Sequence, residues 1–400
     1  MSLTTPYTGL RVVELAEDPA GEYTGKLLAD LGADVVKVEP PEGAASRGVG
    51  PFAEGQTGPE ASLAFRAYNS TKKSVVLSDS EQDREQLRQL VLDADVLLTT
   101  GRSGDATARG LDFAQLRELS PRLVVLAVTP FGQDGPWAHY RSSDLIGLAA
   151  GGPLLSCGYD DHEIPPIRPG GDQGYLTAAS FAHTGLLLAL LERSRTGRGQ
   201  LVDVSMHDSL AVSGELANPF WFYPRVKVQR QTARHAQPSP TQPALFRSAD
   251  DRFLYFALIL ADQKPWQALV DWMDSAGLAA DLVDPAFSDL AHRQRNFSHV
   301  QELVEVFFLV HDAEFLYHEG QRRGLPIGIT NAPEDLFGDE HLQARGFFTP
   351  VEQPDGSTAL QPGSPYRFST FTPPGPTAAP RLGQHTAQVL AGAGHAEVGT

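Results

Sequence analysis

One feature dominates the first half of this chain: short, largely apolar runs alternate with segments of helical periodicity. Leu10–Leu15 (LRVVEL) is such a run, and Ala33–Val38 (ADVVKV) is the next. Between them Leu27, Leu28 and Leu31 recur at helical spacing, and Gly32 stops the helix. The pattern continues with strands at Ser74–Leu77, Val96–Leu98 and Leu123–Val128 and helices at Ser80–Leu92 and Phe113–Leu119. Apolar strands alternating with helices imply a parallel sheet with right-handed crossovers. The expected fold class is therefore α/β, with a Rossmann-like doubly wound large domain.

Beyond it, Gly151–Gly171 is rich in Gly and Pro and reads as a long loop, a feature usually tied to function. A helix follows over Tyr175–Arg193, then Thr196-Gly197-Arg198-Gly199-Gln200 turns into a strand at Leu201–Ser205, and a further helix starts near His207. Residues 225–243 are polar and read as a linker. A smaller domain then offers a strand at Phe253–Leu260, helices at Pro265–Met273 and Val300–Phe308, and the strand-like run LPIGI. Thr372–Pro380 is Pro-rich and reads as extended.

Charge and cysteine content restrict the function classes. The 32 basic residues are outnumbered by 49 acidic ones, a net charge of −17, which disfavours nucleic acid and anionic membranes as partners. Cys157 is the single cysteine, so neither a disulfide framework nor a Cys-based zinc site is expected. The histidines show no H-x-x-x-H spacing, and no metal is expected. No apolar run has the length of a membrane span, and the start of the chain has no basic-then-apolar leader. The expectation is a cytoplasmic protein.

The first β-α turn, Glu17-Asp18-Pro19-Ala20-Gly21, lacks G-x-G-x-x-G and carries two acids that would repel a pyrophosphate, which argues against a standard dinucleotide site. Ser205-Met206-His207 places a hydroxyl beside an imidazole, but sequence neighbours seldom meet in triad geometry. His183 lies on an apolar helix face and reads as a core histidine. Cys157 reads as inert, and Asp160–Glu163 as a solvated tip. The segment Arg168-Pro169-Gly170-Gly171-Asp172-Gln173-Gly174-Tyr175 is more informative: its glycines permit close ligand approach, and it leads into a helix amino terminus that favours an anion. Asp172 is there either a helix cap or a nucleophile toward a thioester.

Taken together, LGADVVKVEPPEG at 31–43, YNSTKKSVVL at 68–77, PPIRPGG, the TGRGQ-VDVSM block and the closing LGQHT resemble the family III CoA-transferases. These include formyl-CoA transferases, carnitine CoA-transferases and α-methylacyl-CoA racemases. The resemblance implies a large domain built from residues 1–225 and a return segment, 326–400, with a small α+β domain at 226–325 between them. It also implies an interlocked, ring-like homodimer. CoA and acyl-CoA would be substrates, a carboxylic acid the acceptor, and no cofactor would be permanently bound. Family transferases attack the thioester with an aspartate at the start of the helix preceding TGRGQ, forming an aspartyl anhydride and then an aspartyl-CoA thioester.

The chain departs from that pattern at its centre. Counting back without gaps from Thr196 places Tyr175 at the aspartate position, with Asp172 three residues earlier; both are carried as catalytic candidates. The glutamine of formyl-CoA transferases falls at Pro19, and the racemase histidine at Ser143. The family's Asn-Phe pair is Thr100-Gly101, and its glycine-rich lid is Leu260-Ala261-Asp262-Gln263-Lys264. Leu77, Arg102, Arg109 and Arg141 are the CoA-site candidates, since a guanidinium matches phosphate geometry. The leading expectation is CoA transfer between a thioester and a carboxylic acid. The alternatives are other acyl-CoA chemistry, such as a lyase or isomerase, or a non-catalytic CoA-ester binding protein.

Overall fold

The computed structural model describes residues 5–214, 217–258, 261–353 and 356–392. By its internal contacts the chain divides into two units. The first comprises residues 1–155, 167–219 and 340–400, the second 156–166 and 220–339. The loop segment 156–166 thus belongs with the second unit, and the return to the first begins at Glu340.

The first unit is built on six parallel strands: β1 Arg11–Leu15, β2 Asp34–Glu39, β3 Lys73–Val76, β4 Val96–Thr99, β5 Val124–Thr129 and β6 Leu201–Ser205. Their order is β3-β2-β1-β4-β5-β6, the doubly wound arrangement: all strands run the same way, and the sheet grows outward in opposite directions from the β1–β4 boundary. The helices are α1 Pro19–Ala29, α2 Leu63–Tyr68, α3 Glu81–Leu92, α4 Asp105–Ala108, α5 Phe113–Leu119, α6 Asp144–Gly151, α7 Gln173–Thr196 and α8 Met206–Val212.

Val- and Leu-rich runs form these strands because both faces of the sheet are covered. Val12, Val35, Leu98 and Leu126 join Leu28, Ala182 and Leu186 in one core. Their neighbours Val13, Val36, Leu97 and Val125 point the other way, toward Leu87, Val91 and Leu116. Burying each such side chain stabilises the fold by about 1.5–3 kcal/mol. Short polar caps start the helices: Asp18 Oδ1 accepts from Gly21 N, Ser80 caps α3 and Asp112 caps α5.

By length and composition α7 could cross a membrane, a span the sequence reading did not anticipate. Here it is the crossover between β5 and β6 and packs against α1. It ends where Gly197 adopts φ +73°. Gly199 follows under a different constraint: a Cβ there would stand 2.0 Å from the Leu123 carbonyl oxygen. These two glycines account for TGRGQ.

The closing LGQHT seals the outer edge of β3. Ser74 N donates to His385 Nδ1 at 3.2 Å, Val76 N to Thr386 Oγ1 at 3.0 Å, and His385 N to Ser74 O at 2.9 Å. An edge strand is thereby satisfied without a seventh strand.

In the second unit an antiparallel sheet of Leu245–Arg247, Phe253–Phe256 and Ile327–Ile329 packs on helices Gln263–Ser275, Phe297–Leu309 and Ala313–Arg322. Its core is aromatic, with Phe246, Phe256, Trp266, Trp272, Phe307 and Phe308 buried. Residues 225–243, expected as a linker, contain a hairpin of Gln229–Gln231 and Arg234–Gln237. Asp160, expected at a solvated tip, is exposed as expected and also pairs with Arg234 and accepts from Thr232 N. Polar tertiary contacts of this kind leave no periodic trace in a sequence. Leu260, the first residue of the lid replacement, lies outside the described residues.

Candidate functional site

In a doubly wound sheet ligands bind outside the carboxyl ends of the strands, where the order switches. That point lies between β1, which runs on into Glu17 and Asp18, and β4, which runs on into Thr100, Gly101 and Arg102.

A buried charge cluster fixes the first turn. Lys37 Nζ, wholly buried, lies 2.8 Å from Glu22 Oε1 and 3.2 Å from Glu14 Oε1, and it also donates to Ala16 O. Lys72 Nζ lies 2.8 Å from Glu14 Oε2 and donates to Glu22 O at 2.7 Å. Burial disfavours the Lys37 charge, but Glu22 and Glu14 outweigh it and raise its pKa. At Lys72 burial prevails and the pKa falls. Gly25 is required here, since a Cβ would meet Glu14 Oε2 at 1.8 Å. Asp18 is half-buried, and desolvation raises its carboxyl to about 6 against the hydrogen bond from Gly21 N.

The amino end of α7 is organised by a residue the sequence reading did not select. Asp144, buried in the first turn of α6, accepts from Gly174 N at 2.7 Å and from Tyr175 N at 3.3 Å through Oδ1. Its Oδ2 receives Arg168, with Nη2 at 2.9 Å. The sequence signal was present: Ser143 caps α6 and an acid follows it, but nothing local links that acid to a helix thirty residues on.

Asp172 therefore does not cap its own helix, and its side chain makes no capping bond. Its carboxylate, about one-third exposed, accepts from Tyr68 Oη at 3.2 Å through Oδ2, and Oδ1 lies 3.7 Å from Arg168 Nη2. Tyr68 is pushed up to about 12 by burial and by Asp172. Tyr175 packs against the large core, and burial followed by Asp18, Asp144 and Asp172 raises its phenol still further. A phenol so placed stays protonated and is a poor nucleophile.

The other candidates divide. Arg102 stands at the end of β4 and pairs with Asp105 at 3.3 Å. Arg109 follows the last residue of α4 as its carboxyl-terminal cap, and Arg141 lies exposed in the loop after β5. Neither Arg109 nor Arg141 has an ion-pair partner among the described residues. The loops carrying Arg102 and Arg141 are tied together: Ser103 N donates to Ala138 O at 3.3 Å and Ser103 Oγ to Gln133 O at 2.8 Å. Leu77 is different. It is 4% exposed, and its side chain lies in the core beside Leu111 and Val125.

Ser205 Oγ accepts from Asp208 N as the cap of α8, and His183 Nε2 sits 2.9 Å from Tyr7 Oη with burial lowering its pKa. Among the described residues no group of three or more His, Cys, Asp or Glu could hold a metal.

The comparisons with known proteins agree with one another. The sequence profile of CoA-transferase family III matches residues 7–386. The BbsE subunit of succinyl-CoA:(R)-benzylsuccinate CoA-transferase from Thauera aromatica is 32% identical over 395 residues, covering 97% of this chain and 94% of the relative. A succinate–glutarate CoA-transferase from Agrobacterium fabrum is 29% identical, covering 96% and 95%. The crystal structure of a CaiB/BaiF family protein from Brucella suis superposes with a TM-score of 0.84 at 27% identity, covering 98% of this chain and all of that one. The switch-point architecture, the motif blocks and a match across nearly the whole length converge: this chain belongs to CoA-transferase family III, enzymes that move CoA between a thioester and a carboxylic acid.

Proposed function

We propose that this enzyme transfers CoA through Asp172. The observation that carries the reading is the division of labour at α7: Asp144 caps the helix, which leaves the Asp172 carboxylate at the helix amino terminus, partly exposed and unused by the backbone. Asp172 would add to the thioester carbonyl carbon and expel CoA as a thiolate, giving a mixed anhydride. The thiolate then adds to the aspartyl carbonyl, the donor acid leaves, and an acceptor carboxylate repeats the sequence in reverse. Arg102, Arg109 and Arg141 would take the CoA phosphates. Succinyl-CoA is the donor to try first, because relatives' names carry succinate or succinyl-CoA. A cytoplasmic setting is consistent with a chain of one cysteine.

The test is turnover with acyl-CoA in hydroxylamine, followed by peptide mass spectrometry. The adduct is expected on the peptide containing Asp172, and Asp172→Ala should abolish exchange while CoA binding by calorimetry persists. Full exchange by that variant would overturn the assignment. Arg141→Ala should weaken CoA binding by about 10- to 150-fold, the loss of one charge-assisted contact. Unchanged affinity would remove Arg141 from the site.

The homodimer belongs to the same proposal. Phe181, Leu187, Leu188 and Leu191 leave an apolar strip of α7 exposed, which a second copy would cover. A monomer by light scattering at micromolar concentration would refute it. A second reading has its own support: Tyr175 stands where the family aspartate is counted, and the Thauera relative is named as a subunit. In that reading the chain pairs with a different, aspartate-bearing subunit. Exchange by the purified chain alone excludes it.

A further inference from the structure

We infer that Tyr68 is the hydrogen-bond donor that orients Asp172 for attack and then stabilises the oxyanion formed on it. This rests on Asp172 being the nucleophile, and the experiment below separates the two.

Tyr68 is the last residue of α2, and that helix is rigidly mounted. Ser62 Oγ accepts from Phe65 N at 3.0 Å, and the Arg47 guanidinium lies 3.8 Å from the Phe65 ring centre. Just after Tyr68, Asn69 donates to Phe65 O at 3.2 Å and accepts from buried Lys72 Nζ at 2.9 Å. Tyr23 of α1 braces the Tyr68 ring edge-on at 5.9 Å. The phenol that reaches Asp172 Oδ2 is thus fixed by two helices and a buried ion network.

The two carboxylate oxygens are inequivalent. Oδ2 accepts from Tyr68, whereas among the described residues Oδ1 has only Arg168 at 3.7 Å, beyond hydrogen-bond reach. Oδ1 therefore keeps its lone pairs for the thioester carbonyl carbon. As the C–O bond forms, the C–S bond breaks and CoA leaves as thiolate. Oδ2 becomes the aspartyl carbonyl oxygen of the anhydride. When the thiolate adds to that carbonyl carbon, the electron pair of the C=O moves onto Oδ2, where the Tyr68 O–H already points. Collapse restores the C=O, breaks the anhydride C–O bond and releases the donor carboxylate. Tyr68 keeps its proton throughout, consistent with a phenol whose ionisation is pushed up to about 12.

The experiment compares Asp172→Ala, Tyr68→Phe and the unmodified enzyme in succinyl-CoA exchange, with rapid quench and intact-protein mass spectrometry. Tyr68→Phe keeps the ring on Tyr23. It should lower kcat by about 100-fold, the usual cost of one oxyanion donor, with unchanged CoA affinity. The quenched protein should carry acyl mass in excess over CoA mass, because anhydride breakdown is the step that loses its donor. Asp172→Ala retaining activity would remove the nucleophile reading itself. An inactive Asp172→Ala beside a Tyr68→Phe with kcat within threefold of the unmodified enzyme and the same intermediate ratio would overturn the Tyr68 inference alone. If Tyr68→Phe does not fold, 2,3-difluorotyrosine at position 68 decides. Its more acidic phenol should move the basic limb of the kcat profile to lower pH, and an unmoved limb overturns the inference.

Discussion

Asp144 and Gly174, thirty residues apart, meet at 2.7 Å, so α7 receives its amino-terminal cap from another helix. The same carboxylate holds Arg168. One buried acid therefore fixes both the helix and the loop that presents Asp172. Asp144→Ala should destabilise the protein by about 3 kcal/mol, combining a lost cap with a lost charge-assisted contact. Asp144→Asn, which keeps an acceptor oxygen, should lose about half as much. Urea denaturation of the two variants checks the order, and equal stability for both would mean the cap carries no weight.

Gly199→Ala places a methyl 2.0 Å from the Leu123 carbonyl oxygen, and the obstacle is backbone. A flexible side chain could yield; a strand entrance cannot. The loss should be about 3 kcal/mol, seen as a lowered Tm in calorimetry. Gly9→Ala has nothing within 4 Å but a φ of +85°, so its cost is conformational and should be smaller, about 1 kcal/mol.

Lys37→Met tests the buried charge cluster. Removing the cation leaves Glu14 and Glu22 buried with less compensation, which typically costs about 3–5 kcal/mol. A variant as stable as the parent in urea would show that Lys72 alone neutralises the cluster.

The Asp18 carboxyl gives the fold a pH dependence whose sign can be worked out. Desolvation raises its pKa from 3.8 to about 6 in the folded chain. The folded state thus binds the proton more tightly, and its contribution is full below pH 4 and lost as pH rises through 6. Asp18→Asn keeps a capping oxygen for Gly21 N and removes the titration. It should be more stable than the parent at pH 7.5, by about 1–2 kcal/mol after allowance for water at a half-buried group. Near pH 4 the difference should disappear, and thermal melts at the two pH values measure it.

The sheet was legible because burial on both faces favours Val- and Leu-rich runs, which LRVVEL, ADVVKV and LVVLAV supply apart from a few charged positions, two of which, Glu14 and Lys37, are buried as an ion pair. Alternation with helical periodicity then left few topologies open. The start of α7 was legible only to within two residues, since Gln173 and Gly174 carry no periodic signal and their order comes from Asp144. The hairpin within 225–243 was missed for a related reason. Gln231 Oε1 accepts from Thr241 N and Oγ1, and Arg234 pairs with Asp160, so polar side chains hold what apolar periodicity usually announces. At the site, apolar periodicity announced α7 and the resemblance singled out Asp172 at its start, but nothing in the sequence pointed to Tyr68, whose partner lies 104 residues away. Leu77, a motif position, has its side chain in the core.

The closure of the β3 edge by Gly383–Thr386 fixes an order of events during synthesis. Val76 and Thr386 are 310 residues apart, and a ribosome adding about 5–20 residues per second needs roughly 15–60 s to cover that interval. Throughout it β3 can pair along β2, but its outer N–H groups wait for a partner not yet made. The nascent sheet is consequently open to strand-binding chaperones while the second unit emerges and folds. Ribosome-bound chains stalled before Gly383 should be protected by such a chaperone from aggregation, and chains released after Thr386 should not need it.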